Sequence, residues 1–331
     1  NAVRTDVADD TLRALTLKVN AFVELLDNLH RFRRREAQFS AGFLLQRGRR
    51  ERCGRHLSLF AHFDAVDRKM RFLNAFDRFL RFLRVGDHRF LPVERGEARR
   101  EVQLAPVPFA NPCGVYEQLT VTYPGRTVTA RVIRPAAAGR HPLLLLYHDL
   151  NRSVRGWHHM TRFLALGFGT VALEAEPCKG DWQAKPAQAD FRTRYLDALA
   201  VAKAALALPW VDADCVCTFG EGFGGGLALL AACLLPGVKR CAVLNPLPGD
   251  FSGLGVPGCE DIDLANFAPL CRAEVLLGIC LMDTYAPPQG QAAIYNRLTC
   301  PKQWKLYPKY IHERVNFFEN QMLCFFKDGI V

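Results

Sequence analysis

The stretch Asp214-Cys-Val-Cys-Thr-Phe-Gly-Glu-Gly-Phe-Gly-Gly-Gly226, continued by Leu227-Ala-Leu-Leu-Ala-Ala-Cys233, decides the reading of this chain. An apolar run enters a glycine cluster and leaves as a helix of small and apolar residues: strand, tight turn, helix. Gly220-Glu221-Gly222-Phe223-Gly224 fits the spacing Gly-x-Ser-x-Gly, the turn that lifts a nucleophilic serine above a sheet. The frame is complete except at its apex, where Gly222 stands in the serine's place.

Outward from this turn the chain alternates strands and helices. Pro142–Tyr147 is a continuous apolar run, as expected of a strand buried on both faces of a mostly parallel sheet. Gly169–Leu173, Val238–Leu244, Glu274–Leu281 and Trp304–Tyr307 read as further strands. Trp157–Leu166, Phe191–Ala207, Gln289–Leu298 and His312–Phe326 read as helices. Gln118–Tyr123 and Val128–Arg134, joined at Pro124-Gly125, predict an antiparallel hairpin at the entrance. This order predicts an α/β fold with a doubly wound, mostly parallel sheet. Such a sheet gathers its functional loops at the carboxyl ends of the strands.

Two residues downstream sit at such ends. Asp283 follows the strand Glu274–Leu281, and His312 follows Trp304–Tyr307 and is read as opening the last helix. Nucleophile position, acid and histidine thus come in the chain order of an α/β-hydrolase triad. In a triad the acid orients the imidazole and the imidazole takes the nucleophile's proton. Singly, Asp283 is a turn or cap acid and His312 a solvent-facing histidine; in this order the relic of a triad outweighs those readings. Backbone N–H groups of Phe223 and Leu150, the latter in the loop Tyr147-His-Asp-Leu-Asn151, are the expected oxyanion-hole donors. His148 reads as structural. Glu221, one residue off the apex, is expected to point elsewhere.

From about Val115 to the end, the chain resembles the acetyl xylan esterase and cephalosporin C deacetylase family. The resemblance rests on Arg140-His-Pro-Leu-Leu-Leu-Leu-Tyr-His148, Tyr195-Leu-Asp-Ala198, Leu208-Pro-Trp-Val-Asp212, Leu281-Met-Asp283 with Pro287-Pro288, Tyr295-Asn296 and Tyr307-Pro-Lys-Tyr-Ile-His-Glu313. It implies an α/β-hydrolase fold, hydrolysis of small acetyl esters of carbohydrates, no cofactor or metal, cytoplasmic residence and a ring-like hexamer. The chain departs from the family at the elbow, where Gly222 and Phe223 replace serine and glutamine. It departs also at Pro177-Cys-Lys-Gly180 and at Ile311, and in a short segment between Asn245 and Leu264 that weakens the expectation of an oligomer. Without the serine oxygen covalent acyl transfer is impossible at 222. The expectation is a pseudoenzyme or a very weak esterase. The alternatives are a residual water-mediated esterase using His312 and Asp283, and a non-catalytic ligand-binding or tethering protein. Restoring serine at 222 is expected to raise activity if the hole survives.

Gly220-Glu-Gly-Phe-Gly-Gly225 also spells the dinucleotide fingerprint GxGxxG. The next strand ends at Asn245 with no acid for a ribose, which argues against it.

The charge of +10 is uneven. Residues 1–100 hold 20 Arg and 2 Lys against 13 acids, whereas the remainder is near neutral. The first hundred residues read as a basic Arg/Phe-rich extension, helical or disordered, or as a non-coding frame translated upstream of a true start. Membrane or nucleic-acid contact through this region is the weaker reading, because charge runs are mostly solvated. Residues 101–114 read as a linker and 115–331 as the hydrolase domain. The 12 cysteines show no zinc spacing and no disulfide framework, and no apolar run is long enough to span a bilayer.

Overall fold

The computed structural model describes residues 101–109, 111–123, 125–178, 189–250 and 262–328. The basic extension expected over 1–100 lies outside the described residues.

Nine strands form one sheet: β1 (Glu101–Pro106), β2 (Gly114–Tyr123), β3 (Arg126–Pro135), β4 (His141–Tyr147), β5 (Gly169–Glu174), β6 (Val211–Glu221), β7 (Val238–Leu244), β8 (Glu274–Cys280) and β9 (Lys302–Tyr307). Their order is β1-β2-β3-β5-β4-β6-β7-β8-β9. β1, β2, β3 and β5 pair antiparallel; from β5 through β4 to β9 every pairing is parallel. The doubly wound α/β sheet entered through a hairpin is therefore present.

Residues 101–114 are not a linker throughout. Glu101–Pro106 pairs along its length with Glu117–Thr122 and makes β1 the sheet's edge. All six of its residues are exposed, so no buried face announced the strand. A backbone ladder leaves no hydrophobic alternation to read.

The helices are α1 (Trp157–Leu164), α2 (Phe191–Leu206), α3 (Phe223–Leu234), α4 (Leu264–Phe267), α5 (Pro288–Arg297) and α6 (Asn316–Lys327). They cover both faces of the sheet, and β4 shows why the chain reads as it does. Leu143 and Leu145 join the core under α2, α3, α4 and α5, with Tyr195, Leu227, Leu264 and Ile294. Leu144 and Leu146 join the opposite core under α1 and α6, with Phe163, Phe318 and Phe326. A period of two sends alternate side chains to opposite faces, so a strand covered on both is apolar throughout.

The chain leaves β4 toward β5 on one side and returns as β6 on the other. The carboxyl ends of β4 and β6 thus meet at a topological switch point, where crevices form in open α/β sheets. Tyr147 pairs with Gly220 there, which brings the loop after β4 beside the turn after β6.

Candidate active site

Gly222 is the apex between β6 and α3, with φ 56° and ψ −128°. That backbone conformation is reached freely by glycine and at a cost of about 1–3 kcal/mol by other residues. The flanking glycines have a different reason. A Cβ on Gly220 would lie 2.0 Å from the Gly224 carbonyl oxygen, and one on Gly224 would lie 2.5 Å from that of His148. The turn closes only because both positions lack side chains. Gly222 N–H donates to the Leu244 carbonyl at 2.9 Å, anchoring the apex to β7.

Asp283 follows β8 at a short remove: the strand ends at Cys280, and Leu281 and Met282 are exposed. The Asp283 carboxylate is buried and its Oδ1 accepts from the N–H groups of Tyr285 and Ala286, both at 2.8 Å. Its Oδ2 lies 2.7 Å from His312 Nδ1. His312 does not open the last helix, which begins at Asn316. It lies in the loop between β9 and α6, its ring against that of Tyr285 with centroids 4.5 Å apart. The structure therefore brings Gly222, Asp283 and His312 to one place.

It brings a fourth group that the sequence reading passed over. Asp149, in the loop after β4, is 3% exposed and points its carboxylate into the centre of the constellation. Its Oδ1 accepts from Leu150 N–H at 2.7 Å and from Phe223 N–H at 2.8 Å. Its Oδ2 lies 2.8 Å from His312 Nε2. The two donors expected to hold an oxyanion do converge on a single oxygen, and that oxygen belongs to the protein. A Cβ built on Gly222 would lie 2.1 Å from Asp149 Oδ1 and 2.3 Å from its Cγ. Carboxylate and apex side chain compete for one space.

The charges follow from this geometry. An ionised carboxylate only accepts hydrogen bonds, so a ring flanked by two of them donates from both nitrogens and is an imidazolium. Burial pulls the His312 pKa down, but the bonds and charges of Asp149 and Asp283 outweigh it and push it up to about 9. Burial likewise raises the Asp149 carboxyl. The His312 bond and charge, with the Phe223 and Leu150 N–H groups, overcome that and hold it below the ordinary carboxylate range.

Neighbouring residues frame the centre. Glu221 faces Arg155, 2.5 Å from its guanidinium, and Arg155 also pairs with Glu319 of α6 at 2.7 Å. His148 is structural: its Nε2 accepts from Ala175 N–H at 3.1 Å, leaving Nδ1 to donate to the Asp149 carbonyl at 2.9 Å. Burial lowers its pKa, in keeping with that neutral ring. A recess of about 10 Å³, lined by Asp149, Arg152, Gly222, Asn245, His312 and Glu313 among others, adjoins the carboxylate. Among the described residues no cluster of three His, Cys, Asp or Glu side chains could hold a metal ion. No helix of the described residues is long and apolar enough to cross a membrane.

A glycine-framed elbow after a central parallel strand, with an aspartate and a histidine joined at the ends of later strands, defines an α/β-hydrolase. The family model for acetyl xylan esterase matches residues 179–254 and 259–329, a span that takes in the elbow, the Asp283 turn and the His312 loop. Over that span the chain is similar to acetyl xylan esterases. Solved structures share the fold. Acetyl xylan esterase 1 from a Thermoanaerobacterium species is 24% identical with a TM-score of 0.65, covering 78% of this chain and 93% of its own. An acetyl xylan esterase from a Paenibacillus species is 21% identical with a TM-score of 0.63, covering 76% and 94%. A cold-adapted esterase from an Arctic intertidal metagenomic library is 17% identical with a TM-score of 0.54, covering 72% and 100%.

Proposed function

We propose that this domain is an acetyl-ester hydrolase scaffold that no longer carries out serine acyl transfer. One observation carries the reading: the N–H groups of Leu150 and Phe223 are both spent on Asp149 Oδ1. Acyl transfer needs a nucleophile at the apex and free donors where the tetrahedral oxygen develops. Gly222 supplies no oxygen, and an internal carboxylate fills the hole. The fold is retained because the carboxylate satisfies the donors and the imidazolium that an absent nucleophile would leave without partners.

A residual esterase driven by water fits less well. A general base must accept a proton, and His312 has both nitrogens committed to carboxylates and a pKa pushed up to about 9. As a non-catalytic protein the domain would bind a small acetylated carbohydrate, the ligand class of the family it resembles. The reading includes cytoplasmic residence, which the free cysteines among the described residues support, since persistent thiols suit a reducing compartment. Burial pushes the Cys217 and Cys241 thiols well above their ordinary pKa, as for inert core residues. A homo-oligomer weakened by the short segment before α4 belongs to the same reading.

The test is p-nitrophenyl acetate hydrolysis by the wild type and by His312→Ala. Background rates in both are expected. Wild-type turnover that His312→Ala abolishes would replace this reading with the water-mediated one.

A further inference from the structure

The last strand of the sheet, β9, has a neighbour on one side only. We propose that its outer edge joins a second copy of this chain, antiparallel about a two-fold axis through Trp304, so that two sheets run on as one. This surface gives the homo-oligomer read above its contact, resting on that part of the reading and not on the loss of acyl transfer.

The backbone decides which groups are free. Val275 N–H donates to the Pro301 carbonyl at 2.9 Å, and Leu281 N–H donates to that of Tyr307 at 3.1 Å. A strand residue turns its N–H and C=O to the same side, and successive residues alternate. Gln303, Lys305 and Tyr307 therefore face β8, as the register of Val275 with Lys302 requires. Lys302, Trp304 and Leu306 turn theirs to the open edge, where no described residue pairs with them. Such a row is a template for another strand unless bulges, prolines or charges blunt it. β9 holds no proline. The Lys302 charge is drawn away from the edge, its Nζ donating to the carbonyls of Tyr295 at 2.7 Å and Leu298 at 2.9 Å.

The outward residues also fix the register. With the axis at Trp304, this residue opposes Trp304 of the second copy, Lys302 opposes Leu306, and Leu306 opposes Lys302. All of these are pairs of the bonded kind, each exchanging both backbone bonds. Gln303 and Lys305 oppose one another in the pairs between. There the amide oxygen accepts from the ammonium, and no like charges meet. An axis at Lys305 would set lysine against lysine, and one at Gln303 would leave Leu306 opposite no strand residue.

Side chains add to the ladder. Trp304 is 43% exposed and Leu306 45% exposed. Their alternation puts both on the face that carries α5, where the Trp304 ring stacks on Tyr295 with centroids 4.6 Å apart. Pairing removes the outer flanks of both from water. The strand is only 6 residues long, against roughly 20–30 residues a side in a standard interface, so the dimer is reversible and dissociates on dilution.

The experiment follows the full chain by sedimentation velocity from low to high micromolar concentration. The wild type is expected to pass from monomer to dimer. Trp304→Pro removes the outward N–H at the axis, which no bond within the protomer uses, and an edge strand tolerates proline at such a position. Trp304→Lys instead sets lysine against lysine across the axis. Both variants are expected to stay monomeric, with the circular dichroism of the wild type. Gln303→Cys mixed with Lys305→Cys under mild oxidation is expected to cross-link beyond either variant alone, which reads the register. No excess in the mixture would overturn that register. Association unchanged in both Trp304 variants would overturn the proposal and leave an oligomer built on another surface. A wild type monomeric throughout would overturn the proposal and the oligomer together.

Discussion

Asp149 and Gly222 exclude one another: the space in which a side chain at 222 would begin is filled by the Asp149 carboxylate, 2.1 Å from the position of a Cβ. The vacancy at the elbow and the charge in the hole are one arrangement. It accounts for a site whose acid and histidine are correctly joined without a nucleophile at the apex.

Gly222→Ala is expected to destabilise the fold by at least the strain of φ 56°, about 1–3 kcal/mol, with the clash in addition. Combining it with Asp149→Ala is expected to cost less than the two single changes added together, since the pair shares one space. Urea denaturation of the two single variants and the double checks this coupling; strict additivity would deny it.

The stability of the domain should depend on pH through His312. Its folded pKa lies near 9 against an ordinary 6.5, so the stabilisation is complete below about 6.5 and is lost as pH rises through 9. The full effect is on the order of 3 kcal/mol. Asp149, held below its ordinary 3.8, contributes with the opposite sense: its share is present above that value and fades on acidification. Denaturation midpoints from pH 4 to 10 should fall on the alkaline side, and His312→Gln should flatten that limb.

Asp149→Asn removes the charge that does most to raise the His312 pKa. The His312 titration midpoint, followed by NMR, is expected to drop well below 9, and the alkaline loss of stability should shift down with it. An unmoved midpoint would mean that Asp283 alone sets the imidazolium.

Arg155 lies buried between Glu221, beside the elbow, and Glu319 of α6. Removing one partner from a buried ion cluster leaves the others uncompensated, typically at about 3–5 kcal/mol. Arg155→Met should approach that cost in chemical denaturation, whereas Arg155→Lys should recover part of it.

Much of this was legible in the sequence, and the exceptions have physical reasons. The buried strands announced themselves because both faces are covered, as Leu143–Leu146 show. The elbow was legible because Gly220 and Gly224 meet backbone that tolerates no Cβ. Asp283 and His312 were found from order and placement at strand ends, and their contact at 2.7 Å joins them. β1 was missed because its exposed residues carry no pattern. α6 starts four residues later than its sequence pattern suggests, because the residues after β9 hold no clear cap and Val315 makes no side-chain capping bond. Asp149 was missed for a subtler reason. In sequence its loop offers backbone donors, and nothing in one dimension says that a side chain within that loop turns back onto them. The available signal was a carboxylate beside the expected donor Leu150, in a chain whose apex had lost its oxygen.

The most direct measurement compares p-nitrophenyl acetate hydrolysis by Gly222→Ser with that by the double variant Asp149→Ala/Gly222→Ser. If the carboxylate fills the hole, serine alone stays near background, and the double variant exceeds it by about 10²-fold, the scale of oxyanion-hole stabilisation. Equal activity in the two, whether high or absent, would contradict the account.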